Sequence, residues 1–472
     1  MKTFDLIIIG AGSAGAAAAV KADSFGANIA LIEPGSIGGT PANVGSARSK
    51  NLMRLGEIVH LARQKNLKAL TGRRELGLDF NEALSEAEIV GKELRRRRCE
   101  EPLERLRHLT RFVGAAVFTG PDSIEVDGHI LRGKKFIIAT GAKDFIPPVE
   151  GLEHTGYLTH ANIMGLSEPP KSLMVVGGGP VGLELAQMFT HFGTKVRVIQ
   201  RGPRILPRVE AEIAEAAQGY LEQEELVIHT NEVVAAVRTE ADSLIVTVQA
   251  VGRSHDYRSD KILMAVGRLA NTDGLGLEAA GVSVDKRGSV IVDDELVTSV
   301  PHIFAAGDVR GEPMLASVAV KDGETAAVNA LASGHIEVDY SSVPSCTFTH
   351  PEIAQVGLTE EEAKARGHKV ETRSLEFKAV PKAQIMRDSR GLIKMVVELG
   401  TRRILGCGIV ADHAGELINE VALAVKFKLS VDDIKDTVHV YPTLSEAVPL
   451  LAAEFDQPSV EGITIEEERE AA

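Results

Sequence analysis

Two strand–glycine turn–helix units, Asp5–Val20 and Leu173–Phe189, constrain the fold of this 472-residue chain more than any other feature. Each reads as a buried apolar strand running into a glycine turn and then an Ala/Leu-rich helix. In the first, Gly10, Gly12 and Gly15 form GAGSAG directly after the strand Leu6–Ile9. The first glycine permits the tight turn, the second lets a pyrophosphate approach the backbone, and the third lets helix and strand pack closely. The phosphate would then rest on the helix N-terminus, where free amides and the dipole favour an anion. Glu33 ends the next strand, IALIE, at a distance suited to a ribose hydroxyl.

GGGPVG, with Gly177, Gly178, Gly179 and Gly182, repeats this logic after LMVV, so two nucleotide sites are implied. Its partner strand KVRVIQR ends in Gln200 and Arg201 rather than an acid. An acid there would hold the 2′-hydroxyl of NAD, whereas an arginine accommodates the 2′-phosphate of NADP. Arg201, with Arg204 beside it, favours NADPH; the bland alternative is a pair of solvated surface arginines.

The length suits about three domains. A net charge of −14 argues against nucleic acid as a partner, because phosphate binding needs a basic face. The run Arg95–Arg98 is the local exception. Glu93, Glu100, Glu101 and Glu104 surround it, so it reads as a salt-bridged, solvated helix face. Three scattered cysteines, Cys99, Cys346 and Cys407, fit a reducing cytoplasm better than a disulfide framework. The N-terminal MKTFDLIIIGAG enters a nucleotide-binding strand at once, which leaves no expected signal peptide. No stretch is apolar and long enough to span a bilayer.

Residues from about Ala47 to Thr110 read as polar-faced helices leading to a return strand, Lys135–Thr140. Pro147, Pro148, Pro169 and Pro170 punctuate the entry to the second unit. That unit closes with a strand Lys261–Val266, and the first domain resumes through Ile303–Asp308. After Pro344 come short alternating strands, among them Ile393–Leu399 and Ile404–Val410, followed by helices. The expected organisation is α/β. A discontinuous domain at 1–149 and 268–338 is interrupted by a second nucleotide domain at 150–267. An α+β domain at 339–456 and a loose acidic tail at 457–472 follow.

Several separated motifs occur in one order: GAGSAG, Gly38–Lys50, ATGA at Ala139–Ala142, GGGPVGLE, AVGR at Ala265–Arg268, FAAGD at Phe304–Asp308, and HVYPTLSE at His439–Glu446. In these the chain resembles the pyridine nucleotide–disulfide oxidoreductases, including mercuric reductases, dihydrolipoamide dehydrogenases and soluble transhydrogenases. The resemblance implies an FAD domain interrupted by an NAD(P) domain, a C-terminal dimerisation domain and a homodimer sharing its active site across the interface. It implies FAD contacts at Gly10, Gly12, Ala14, Gly15, Glu33, Gly39, Thr40, Lys50, Gly141, Asp308, Leu315 and Ala316. For NAD(P) it implies Gly177, Gly179, Val181, Gly182, Glu184, Arg201 and Gly267. The helix beginning near Leu315 would point its N-terminus at the flavin and stabilise negative charge on the reduced ring. Lys50 and Glu184 match the family's ion pair near flavin N5; the alternative is an ordinary structural salt bridge.

The segment Gly38–Lys50, GGTPANVGSARSK, stands where the family carries GGTCxNxGCxPSK. Pro41 and Ser46 occupy the places of the two sulfurs. A disulfide relay needs two thiols that cycle through thiolate and disulfide, and neither residue can store electrons. At the C-terminus the family usually carries His-x-His-Pro-Thr, whose second histidine serves as acid/base. Here Tyr441 takes that place while its usual partner, Glu446, remains. Tyrosine ordinarily titrates near 10, a poor base at neutral pH but a competent hydrogen-bond donor. Mercuric reductases and soluble transhydrogenases also have tyrosine there. The former add a C-terminal cysteine pair; this tail, GITIEEEREAA, has none.

His439 and His350 lack a second ligand at metal spacing and read as satisfied structural histidines. Cys346 and Cys407 read as small buried hydrophobes. The functional expectation is an FAD enzyme that oxidises NADPH or NADH and passes electrons from the flavin directly to a small non-dithiol acceptor. That acceptor could be a quinone, oxygen, a dye or a second nicotinamide nucleotide. Ser46 and Tyr441 would shape the acceptor pocket, and no metal is expected. The alternative is a catalytically silent flavoprotein acting as a scaffold or regulatory subunit.

Overall fold

The computed structural model describes residues 2–63, 77–332 and 335–457. The acidic tail expected at 457–472 lies, apart from Gln457, outside the described residues. The chain divides into two compact units. The first comprises residues up to Pro207, Leu221–Tyr340 and Thr347–Thr349; the second comprises Arg208–Tyr220, Ser341–Cys346 and the chain from His350 onward.

In the first unit, strand β1 (Lys2–Ile9) turns at Gly10 into helix α1 (Ser13–Asp23) and returns as β2 (Ile29–Glu33). Helices α2 (Gly39–Asn43), α3 (Ser46–Arg63) and α4 (Phe80–Arg95) follow, then β3 (Leu109–Val113), β4 (Ala116–Gly120), β5 (Ser123–Val126) and β6 (His129–Ile138). The sheet order is β3-β2-β1-β6-β5-β4, and the strand Ile303–Ala305 pairs with the free flank of β6. Strands β1 to β3 and β6 run parallel, and β1 and β2 are almost wholly buried along LIII and IALI. Such continuous apolar runs are what a sheet covered on both faces requires. One cover is α1 with the helix Ala316–Leu331. Their contact is backbone-close: a Cβ at Gly323 would lie 2.1 Å from the Ala14 carbonyl oxygen.

The second nucleotide fold repeats this plan. Strand β7 (Ser172–Val176) leads through Gly177 into helix α5 (Pro180–His191), then β8 (Lys195–Gln200), helix α6 (Ala211–Gln223), β9 (Val227–Thr230) and, after a meander, β10 (Lys261–Met264). The parallel order is β9-β8-β7-β10. The antiparallel meander Val233–Glu240, Ser243–Ala250, Arg253–Ser259 packs Val234, Val246 and Val248 against Met174, Ile199 and Met264.

The second unit is built on an antiparallel sheet in the order Glu352–Gly357, Ile404–Ala411, Leu392–Glu398, Val370–Glu376. The alternation expected for these strands does not hold: Leu392–Glu398 is buried at five consecutive positions and Ile404–Ala411 at all but Leu405. Both faces are covered. Helix Ala414–Lys426 packs on one, and Arg208–Tyr220 reaches the other, where Lys394 bonds Glu210, Glu212 and Glu360 at 2.7–3.0 Å.

Other expectations shift in detail. The return strand ends at Ile138 rather than Thr140, because Ala139–Gly141 turn to meet Gly10. The Arg95–Arg98 run is not uniformly solvated. Arg96 and Arg97 pair with Glu93, but Arg95 turns inward and donates to Asn43 Oδ1 at 2.9 Å, while Arg96–Glu100 forms a π-helical turn. Cys407 is buried as expected; Cys346 is only partly so, in the middle of the short strand Ser345–Thr347.

Candidate active site

The two glycine turns have the same internal geometry. Gly10 has φ +105°, and a Cβ there would lie 2.4 Å from the carbonyl oxygen of Ala139; Gly177 has φ +113° and the same relation to Ala265 at 2.3 Å. The ATGA and AVGR motifs are therefore the walls against which the glycine turns are pressed. The third glycines allow closer approach still, since a Cβ at Gly15 would overlap the Gly10 oxygen and one at Gly182 the Gly177 oxygen.

The residue ending each second strand braces its turn. Glu33 accepts from the Ala11 N–H at 2.8 Å and the Gly35 N–H at 2.9 Å. Gln200 accepts from the Gly178 N–H at 3.1 Å and donates to the Arg204 carbonyl at 3.2 Å. The amide of Gln200 is thus committed to the turn, and the cation beyond it, Arg201, is exposed. Arg204 donates to the Pro207 carbonyl at 3.2 Å, while its buried Nε has no hydrogen-bond partner among the described residues.

Gly38–Lys50 folds as two helices. Gly38 and Gly39, both with positive φ, bring α2 against the first glycine turn, so that a Cβ on Gly39 would lie 2.8 Å from the Gly12 Cα. Pro41 sits inside α2; Ser46 opens α3 and is exposed. Lys50 lies one turn after Ser46, on the same helix face. Its ammonium is 2.5 Å from Glu184 Oε2 on α5 and 5.0 Å from the centre of the Phe348 ring. Glu184 Oε1 accepts the Phe348 N–H at 2.9 Å, and its side chain is only 8 % exposed, so this carboxylate is held from two sides.

Asp308 follows Gly307 in a 3₁₀ turn. Arg268 donates to its carboxylate at 2.8 Å, to Thr40 Oγ1 at 3.2 Å and to the Ala142 carbonyl at 2.5 Å. Burial raises the Asp308 carboxyl above its ordinary value, against the opposing pull of Arg268. Arg268 closes AVGR, and the sequence reading passed over its bridging position. Its buried Nε has no hydrogen-bond partner among the described residues. Leu315 is the N-cap of the helix Ala316–Leu331, whose first residue, Ala316, is exposed. Gly12, Thr40, Arg268, Asp308 and this helix start form a polar cradle with a donor to spare, which fits a flavin dinucleotide.

Val181 is exposed in the first turn of α5, and Gly141 and Gly267, both with positive φ, have open space where a Cβ would be. Tyr441 and Glu446 belong to the second unit. Tyr441 is 70 % exposed, and Glu446 accepts the Thr443 N–H at 3.0 Å in a capping box. Both histidines are held structurally, His439 by Glu420 at 2.7 Å and His350 by Asp388 at 3.3 Å. Among the described residues no helix is long and apolar enough to cross a membrane.

Comparison with known proteins agrees with this geometry. The family model for pyridine nucleotide-disulphide oxidoreductases matches residues 4–323, and the model for the dimerisation domain of that family matches 343–452. A mercuric reductase of Lysinibacillus sphaericus is 37% identical over 455 residues, covering 96% of this chain and 83% of its own. A dihydrolipoyl dehydrogenase of Thermus scotoductus is 38% identical over 460 residues, covering 95% and 96%. Among solved structures, the HOCl-induced flavoprotein disulfide reductase RclA of Escherichia coli superposes with a TM-score of 0.84 at 29% identity, covering 95% of this chain and 99% of its own. Two repeated nucleotide folds and an antiparallel C-terminal sheet, matched along nearly the whole chain, make this protein a member of the pyridine nucleotide-disulphide oxidoreductase family, whose members are flavin-dependent oxidoreductases that bind FAD and NAD(P)H.

Proposed function

We propose that this chain is an FAD-dependent NAD(P)H oxidoreductase that delivers electrons from the flavin directly to a small non-dithiol acceptor. The observation that carries the reading is the intact Lys50–Glu184 pair beside a motif with no sulfur in it. None of the three cysteines forms a disulfide: Cys407 is 1 % exposed in a strand, and Cys99 and Cys346 stand on separate elements outside Gly38–Lys50. Bound FAD would supply the two-electron relay between the nicotinamide nucleotide and the acceptor. For a quinone the balance is NADPH plus a proton and quinone giving NADP⁺ and hydroquinone.

The chain's own residues would do the rest. The first domain, 1–149 with 268–338, would hold FAD through the Gly10–Gly15 turn, Thr40, Asp308 and Arg268. The second, 150–267, would hold the nucleotide through Gly177–Gly182, with Arg201 on a 2′-phosphate. Lys50, fixed by Glu184, would place a positive charge beside the isoalloxazine ring. Ser46, one turn earlier, would offer a hydroxyl to the acceptor. The dimerisation domain would place Tyr441 and Glu446 at the partner's site.

Anaerobic titration tests this reading. One equivalent of NADPH per FAD should bleach the flavin with no thiolate-to-flavin charge-transfer band. Uptake of a second electron pair would show that a dithiol participates after all. Failure of both NADPH and NADH to bleach it would make the protein a silent flavoprotein. Arg201→Ala should raise the KM for NADPH about tenfold, the loss of about 1.4 kcal/mol, and leave that for NADH unchanged. A wild-type preference for NADH would refute the assignment of Arg201.

A further inference from the structure

Helices α3 and α5 meet at two places. Near their starts Lys50 pairs with Glu184; near their ends the rings of His60 and His191 stack, with centroids 4.3 Å apart and planes 23° from parallel. Glu224, just beyond α6, receives both rings. His191 Nε2 is 2.9 Å from Oε2, and His60 Nε2 is 3.4 Å from Oε1. Gln187, one turn before His191 on α5, donates its amide to Oε2 at 2.7 Å. The His191 and Glu224 side chains are 3 % and 4 % exposed, whereas that of His60 is 23 % exposed and forms the open side of the cluster.

Two neutral histidines that each carry a proton on Nε2 satisfy the carboxylate as a plain hydrogen-bonded cluster. The same placement offers more when those protons move to Nδ1. Two imidazole nitrogens and a carboxylate oxygen, all within 4.8 Å of one another, then offer the His₂–carboxylate donor set that suits divalent transition metals.

We propose that His60, His191 and Glu224 bind one divalent transition-metal cation, of the kind represented by Zn²⁺, which clasps α3 to α5. The site stands about 15 Å along α3 from Lys50, at a rise of about 1.5 Å per residue. It is separate from the flavin cradle and does not depend on the electron acceptor. Its role is to tie together the two helices that carry Lys50 and Glu184.

Tag-free holoenzyme, dialysed against a chelator, is titrated with Co²⁺ and then Zn²⁺. The expected result is one Co²⁺ per chain with visible d–d absorption, displacement by Zn²⁺, and a Tm that rises with Zn²⁺ concentration. His60→Ala and Glu224→Gln should each weaken Co²⁺ binding by about 100-fold or more, since changes around a ligand already cost up to about 100-fold. His60 is the decisive position because its partial exposure lets the variant fold, which retained FAD absorbance verifies. Equal Co²⁺ binding by wild type and a folded His60→Ala variant would overturn the proposal, as would failure of the wild type to bind Co²⁺ stoichiometrically.

Discussion

Asp322 has no solvent exposure, yet it is fully partnered: it accepts from the Gly307 N–H at 3.1 Å, Arg310 Nε at 2.6 Å and the Tyr340 hydroxyl at 2.8 Å. Arg310 in turn lies over the Tyr340 ring, 4.2 Å from its centre. Burial, then the Asp322 charge, pushes the Tyr340 hydroxyl well above the usual tyrosine range, so it serves purely as a donor. This network holds the turn that presents Asp308. Asp322→Ala should destabilise the protein by about 3–5 kcal/mol, because it leaves Arg310 buried without its counter-charge. Tyr340→Phe removes one hydrogen bond and should cost about 1 kcal/mol. Urea midpoints measure both, and FAD retained after gel filtration should fall with Asp322→Ala but not with Tyr340→Phe. At the redox end, Lys50→Ala should slow NADPH-dependent flavin bleaching by about 10- to 100-fold in stopped flow, the range expected when a positioned group beside the reacting atoms is lost.

Helices and strands show where local reading succeeds. The strands IALIE, LMVV and KVRVIQ lie within a residue of their expected bounds, because continuous apolar runs bounded by glycine turns leave little choice. The strands of the second unit were found, but their alternation was not, since their second face is covered by a segment more than 150 residues earlier in the chain. The π-helical turn Arg96–Glu100 had no signal beyond a charged run. The second unit also supplies an acid-sensitive element. Asp388 meets Arg390 at 2.6 Å and His350 at 3.3 Å. Burial would raise its carboxyl, but hydrogen bonds from His350 and Arg390 dominate and hold it well below the ordinary carboxylate range. A carboxyl with a lowered folded-state value adds stability above its unfolded value, near 4, and that gain disappears as pH falls through the folded value. Asp388→Asn should therefore flatten the loss of stability below about pH 4 while lowering the neutral-pH urea midpoint.

For the whole molecule, the second unit exposes apolar side chains that an isolated chain would leave in water. Val438 is 96 % exposed, Val440 73 %, Tyr441 70 %, Phe427 65 % and Leu423 58 %. Exposed apolar side chains in such number are of the kind an interface covers, and the match of residues 343–452 to the family's dimerisation domain suggests a second copy of this chain. Light scattering should give a dimer for the wild type and a monomer for the double variant Val438→Asp, Val440→Asp. By itself the sequence determined the two nucleotide folds, their order, and the replacement of both motif sulfurs by Pro41 and Ser46. These are statements about residues within a few positions of one another. Only the tertiary structure decided that ATGA and AVGR wall the two glycine turns, that Gln200 is committed to its turn, that Arg268 bridges Thr40 and Asp308, and that His60, His191 and Glu224 converge. Periodicity and turn chemistry act over a few residues, whereas these contacts arise from which helix faces and strand ends pack together, and that packing leaves no local signature in the chain.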